Sequence, residues 1–237
     1  MKVIITKVLS YSFRVFSVLI VTLIPKNKSI WVFGAWFGKR YSDNPKYMYK
    51  YITELGSKEI KAIWITKDRK LASELRVEGV NAYYYKSFKG GIYQIIARVV
   101  FVSHSISSDL HPSLVGLNTK RIQLWHGIPL KKIGFDDNFE SKKFQTLKKL
   151  KLYSFILNDS YDFVISTGDN CSKLFSTAFN LPLEKIINTG FPRNDVFSCV
   201  HRKGNSQGKF KVIYMPTFRG RAGSEFDLFE PFGFDFD

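Results

Sequence analysis

Cysteine is nearly absent from this 237-residue chain: Cys171 and Cys199 are the only two, far apart and in no metal or redox spacing. That excludes a disulfide scaffold and fits a reducing compartment. Histidine is scarce as well. His104, His111, His126 and His201 stand without partners at metal-ligand spacing, so no zinc site is expected. No uncharged run is long enough for a bilayer, since only eleven uncharged residues separate Arg14 from Lys26. The apolar N-terminus runs into Pro25-Lys26-Asn27-Lys28 and not into a small-residue cleavage site, which disfavours a signal peptide. The loop Gly34-Ala35-Trp36-Phe37-Gly38-Lys39-Arg40 lacks the full dinucleotide glycine pattern, so no cofactor is expected.

Acidic residues are also few where the chain begins. Through Phe135 there are 22 Lys and Arg against 7 Asp and Glu, whereas the remainder carries 14 against 13. The first half therefore supplies almost all of the formal charge of +16. Such a field favours an anionic partner: nucleic acid, an acidic membrane face or a phosphorylated substrate. Scattered lysines and the lack of a nucleic-acid motif weigh against the first.

Residues 3–24 are rich in Val, Ile, Leu and Phe. Lys7, Ser10, Arg14 and Ser17 recur every three or four positions, lining one narrow polar stripe of a helix. A helix lying in the membrane interface, helped by Lys2, Lys7, Lys26 and Lys28, is the preferred reading; a helix packed on its own domain is the alternative. From residue 28 onward strands alternate with helices. Strands are expected at 29–34, 60–66, 80–85, 99–103, 121–125, 163–167 and 185–189, and helices at 44–55, 71–76, 91–98 and 170–179. Asn44 and Pro45 read as the cap and first-turn proline of the first of these helices. This alternation argues for a parallel, doubly wound α/β sheet. Residues 138–157 read as a lysine-rich helical surface and residues 198–209 as a linker. A fresh strand is expected over 210–215.

Three strand ends carry polar turns. Ile122 to Trp125 stops at His126, where Gly127 and Pro129 force a turn with Lys131 and Lys132 behind it. In an open α/β sheet ligands bind at the carboxyl ends of strands, and a neutral imidazole there suits deprotonation of a hydroxyl beside a phosphate. A histidine that merely satisfies local backbone groups fits the pattern equally. The strand at 185–189 ends in Gly190-Phe191-Pro192-Arg193-Asn194-Asp195, and the one at 210–215 in Pro216-Thr217-Phe218-Arg219. Both supply guanidinium groups able to grip phosphate oxygens in a two-pronged way.

With these residues assembled, the chain resembles the CDP-glycerol glycerophosphotransferase family of teichoic acid and capsular polymer biosynthesis. The matching pieces are Trp31 to Gly34 with Phe37-Gly38 and Tyr41 to Asn44, Gln123 to Lys131, Gly190 to Asp195, and Tyr214 to Arg219. The resemblance implies a GT-B-like α/β fold of two Rossmann-like domains. The divisions expected here are an amphipathic membrane-associating helix (1–26), an acceptor-side Rossmann-like domain (28–197), a linker (198–209) and the start of a nucleotide-binding domain (210–237). It implies transfer of glycerol phosphate from CDP-glycerol to a hydroxyl of a lipid-linked polyol-phosphate or glycan acceptor, with release of CMP. His126 would be the base. Arg193 and Arg219 would clamp phosphate, assisted by Thr217 and Lys131, and Asp43 and Asn44 would shape the acceptor side. No metal and no nucleic acid enter, and the enzyme would sit peripherally on the cytoplasmic face of the cell membrane, held to its anionic lipids. The family's second domain continues well past the Thr217–Arg219 loop, so a truncated reading frame is expected, with 210–237 poorly ordered and the chain alone inactive. A nucleotide-sugar glycosyltransferase, a ribitol-phosphate relative and a non-catalytic basic membrane-binding domain are the alternatives.

Overall fold

The computed structural model describes residues 2–56, 59–137 and 160–199. The chain divides into two compact units, Met1–Cys199 and Val200–Asp237, and the second lies outside the described residues. So do the lysine-rich stretch 138–157, Thr217 and Arg219.

Helix α1 (Lys2–Leu23) leads into β1 (Asn27–Phe33), α2 (Asp43–Glu54), β2 (Lys61–Thr66), α3 (Arg69–Val77), β3 (Ala82–Tyr84), α4 (Phe88–Ile96) and β4 (Ala97–Val102). A short helix α5 (Ile106–Asp109), β5 (Lys120–Gln123), β6 (Phe163–Ser166), α6 (Asp169–Ala178), β7 (Ile186–Asn188) and a final turn α7 (Val196–Cys199) follow. The strands form one sheet in the order β3-β2-β1-β4-β5-β6-β7, every pair parallel. Chain direction through the sheet reverses between β1 and β4, which makes their carboxyl ends the switch point where a crevice opens.

The central strands are buried on both faces, as a parallel sheet covered by helices requires. Alternate side chains feed two separate cores. Ile30, Val32, Ile63, Ile65, Val100 and Val102 pack on one side, and Phe33, Trp64, Val99 and Phe101 on the other. Phe33 and Phe101 are register partners, and their rings stack at 4.6 Å. Sequence patterning located these elements within a few residues because uninterrupted Val, Ile and Phe runs have nowhere else to go. Asp68 caps α3 by accepting from Lys70 N and Leu71 N, and Ser87 caps α4 by accepting from Gly90 N.

Helix α1 meets the domain in an unexpected way. Of the polar stripe expected to face headgroups, Arg14 and Ser17 turn inward, half-buried beside the buried Val18 and Val21. Thr22 anchors the helix end, its Oγ1 accepting from Leu117 N (2.9 Å) and its carbonyl from Asn118 Nδ2 (2.8 Å). Lys26, expected to assist lipid contact, instead donates to Val21 O (3.0 Å) and Ile95 O (2.5 Å). Its ammonium serves the carbonyls at a helix end, and burial followed by the Arg121 charge lowers its pKa to about 8. The opposite face carries Phe13, Phe16, Leu19, Ile20 and Leu23, all exposed. No helix among the described residues is long and apolar enough to cross a membrane.

Candidate active site

Four backbone segments end beside one another at the carboxyl edge of the sheet. Of the five non-glycine residues with positive φ among the described residues, four lie here: Trp36 (48°), Phe37 (59°), Asp43 (63°) and Trp125 (53°). Each costs on the order of 1–3 kcal/mol and persists only where surrounding contacts over-determine it. Gly38 (φ 70°) completes the turn after β1, and a Cβ there would meet the Lys67 side chain at 2.7 Å.

The contacts that hold this strain are specific. Trp36 Nε1 donates to Asp43 Oδ2 (3.0 Å), and Asn44 N donates to Asp43 Oδ1 (2.8 Å). Asn44 was expected to cap α2, yet Ser42 holds the cap position and makes no side-chain cap bond. The fully buried Asn44 amide instead reaches the strand β5 turn, donating to Leu124 O (3.1 Å) and Trp125 O (2.9 Å), while its Oδ1 accepts from Arg193 N (3.2 Å). One side chain thereby joins the loops after β1, β5 and β7. Arg193 Nη1 donates to both Asp43 Oδ1 (2.8 Å) and the His126 carbonyl (2.9 Å). A phosphate clamp at Arg193 would therefore rely on its remaining guanidinium N–H groups, with Asp43 offsetting part of its charge.

His126 sits where these loops meet, partly exposed. Trp125 stacks on its ring at 4.1 Å and His104, from the end of β4, at 4.4 Å. Burial first, and the neighbouring His104 second, lower the His126 pKa to about 4, against the raising effect of Asp43 and Asp109. The ring is thus neutral at pH 7 and has an open lone pair for a proton. Because its folded pKa lies below the ordinary 6.5, the unfolded chain binds more protons between about pH 4 and 6.5. Stability from this site is fully present above 6.5 and declines as pH falls toward 4. In chemical denaturation across that window, His126→Gln should flatten the pH dependence.

In front of the loops lies a cleft of about 480 Å³ lined by Trp36, Arg40, Ser42, Asp43, Tyr47 and Arg193, among others. His126 does not line it but lies behind Trp36, ring centroids 6.1 Å apart, and behind Arg193, which holds its carbonyl. Trp36 and Tyr47 give the cleft aromatic surface and Arg40 and Arg193 cationic groups, which suit a phosphate-bearing ligand. The Asp43 carboxylate is buried and already bonded to Trp36, Asn44 and Arg193. Lys131 is not part of the cleft. It is exposed and lines a different groove, of about 590 Å³, with Leu130, Lys132 and Leu174. Among the described residues no cluster of three or more His, Cys, Asp or Glu could hold a metal. Sequence reasoning left Trp36 and His104 without roles. The available signal was positional: His104 ends β4 as His126 ends β5.

A family model described as CDP-Glycerol:Poly(glycerophosphate) glycerophosphotransferase matches residues 16–236. A teichoic acid glycerol-phosphate transferase of Staphylococcus aureus is 28% identical over 215 residues, covering 81% of this chain and 51% of the relative. A teichoic acid poly(glycerol phosphate) polymerase of Staphylococcus epidermidis is 29% identical over 213 residues, covering 82% of this chain and 28% of the relative. The chain thus spans about half the length of the first and less of the second. Among solved structures, the wall teichoic acid polymerase TagF superposes with a TM-score of 0.57 at 23% identity, over 82% of this chain and 47% of that one. The fold is shared, and with the family model matching most of its length, this chain belongs to the CDP-glycerol:poly(glycerophosphate) glycerophosphotransferase family.

Proposed function

We propose that this chain supplies the acceptor side of a glycerophosphotransferase that works on the membrane surface. His126 takes the proton of an acceptor hydroxyl held in the Trp36–Arg193 cleft. The oxygen attacks the phosphorus that bears glycerol in CDP-glycerol, the phosphoanhydride bond breaks, and CMP departs with the electron pair. Phosphoryl transfer needs alignment and charge stabilisation more than covalent chemistry. The observation that carries this reading is the convergence of three loops on a neutral imidazole through Asn44 and Arg193. Arg193 would hold phosphate oxygens through its remaining guanidinium N–H groups. Arg219 and Thr217, outside the described residues, stay proposed as phosphate ligands from sequence. The test is transfer of radiolabelled glycerol phosphate from CDP-glycerol to a lipid-linked glycerol-phosphate primer. The catalyst is this chain joined to the C-terminal half of one of the polymerases it matches. Label should appear in the lipid fraction together with stoichiometric CMP; a folded fusion that binds CDP-glycerol but transfers nothing would overturn the reading.

Membrane attachment belongs to the same proposal. Phe13, Phe16, Ile20 and Leu23 lie along one outward face of α1, and water is a poor neighbour for all four. Seating them among acyl chains would hold the chain on the surface that carries a lipid-linked acceptor. Replacing Phe16 and Ile20 together by Asp should reduce co-flotation with anionic phosphatidylglycerol vesicles at least tenfold. Raising salt should weaken native binding more modestly, because the apolar face carries the larger share. Unchanged flotation of the double variant would place the lipid contact elsewhere.

A further inference from the structure

The second histidine of the site has no part in the chemistry described so far, yet it is tied down more firmly than the first. Asp109, fully buried, accepts from Phe37 N (2.8 Å), Ser103 N (2.8 Å) and His104 N (2.9 Å). It also accepts from Ser103 Oγ (3.3 Å). Ser103 Oγ in turn accepts from Trp36 N (3.1 Å) and shares a 2.9 Å hydrogen bond with His104 Nδ1. Ser103 Oγ thereby links the His104 ring to the Asp109 carboxyl. The His104 carbonyl is held as well, by Gln123 Nε2 (2.6 Å) and Tyr161 OH (3.3 Å). Phe37 packs on the His104 ring at 4.3 Å and Trp36 meets it edge-on at 5.0 Å.

This fixed imidazole lies 27° from parallel to His126 at 4.4 Å, and Trp125 lies 25° from parallel at 4.1 Å. Two rings so close to a third cannot share one of its faces without interpenetrating, so they occupy opposite faces. His126 is sandwiched, and only its edge is left to meet another molecule. We propose that His104, set by Ser103 and Asp109, is a positioning residue that clamps the His126 ring against Trp125 and presents its edge to the acceptor alcohol. The inference rests on His126 being the base.

The clamp has an electrostatic side. The groups that face His126 are His104, Asp43, Asp109 and Arg193, and those that face His104 include Asp43 and Asp109. Burial lowers the His104 pKa too, so neither stacked ring holds a proton at neutral pH. A proton arriving on His126 is disfavoured when His104 already carries one, so the two rings titrate as a linked pair.

Imidazole Cε1–H NMR titration of the full chain tests this without an activity assay. In the native protein the His126 signal should titrate near pH 4 and be displaced by the Trp125 ring current. His104→Ala should raise that midpoint by at least about one pH unit, through solvent entry and loss of the like charge, and should relax the displacement. His104→Phe keeps a ring on that face, so the displacement should survive while the midpoint rises less. A His126 midpoint and shift unchanged in folded His104→Ala would overturn the clamp. Where that variant does not fold, His104→Phe decides. Retained displacement upholds the clamp, and its loss in a folded chain refutes it. In a transfer-competent fusion, His104→Ala should lower kcat with KM little changed. A native fusion without activity would count against the base assignment, whereas the titration judges the clamp by itself.

Discussion

Replacing His126 by Ala in a transfer-competent fusion should lower kcat by about 10²–10⁴-fold, the range a positioned general base contributes. KM for CDP-glycerol should hardly move, because the proposed role sets the imidazole edge against the acceptor and not against the donor. His126→Gln should be as inactive as His126→Ala, since an amide fills the stacked slot but takes no proton. The pH profile gives a second, sharper expectation. With a free-protein pKa of about 4, His126 is deprotonated throughout the neutral range and is a weak base for that range. Acceptor and donor phosphates would bring negative charge beside the ring, which favours the imidazolium and raises its pKa. The acidic limb of kcat/KM, which reports the free protein, should therefore lie at lower pH than the limb of kcat, which reports the ternary complex. Coincident limbs, or a His126→Ala variant with a tenth or more of native kcat, would remove the imidazole from the proton transfer.

The features legible in the sequence were the ones governed by neighbours along the chain. Val99 to Val102 form a continuous apolar run, and a run with both faces apolar belongs inside a parallel sheet, where it is found. His126 could be placed at a strand end because glycine and proline stop the strand within three residues of it. What stayed hidden was the use of a side chain by distant backbone. Asn44 before a proline reads locally as a helix cap, but its amide is taken by carbonyls 80 and 81 positions away. Nothing near Asp43 announces a partner 150 positions downstream, so Arg193 read as an unshared phosphate ligand. Lys26 misled for a related reason: a lysine just after an apolar helix looks like a headgroup contact, and nothing local announces that its ammonium reaches the Ile95 carbonyl 69 positions away. His104 had the same strand-end position as His126. It lacked the glycine and proline that made its partner conspicuous.

The dependence of the site on that hidden amide leads to the largest structural effect expected. Asn44→Asp changes one atom, from a nitrogen that donates to two carbonyls into an oxygen that repels them. The side chain is fully buried, so water cannot repair the mismatch. Two unsatisfied carbonyls and a buried charge together should cost about 3–5 kcal/mol of unfolding free energy. The new carboxyl would have its pKa raised by burial and by the two facing oxygens. Its protonated form can donate to one of them, so the loss should be smallest at low pH and grow as pH rises through the shifted pKa, the reverse of the native dependence set by His126. Asn44→Ala removes the repulsion and should cost less, about 2 kcal/mol, with no such pH dependence. Function should suffer in both, because the amide is what holds Trp125 at φ 53° and keeps Arg193 beside the His126 carbonyl. Denaturant titrations of the three proteins at pH 5 and pH 8 distinguish the cases. Equal stabilities for the native chain and Asn44→Asp at pH 8 would mean that the loops are joined by something other than this side chain. The convergence of the β1, β5 and β7 loops on His126 would then need another cause.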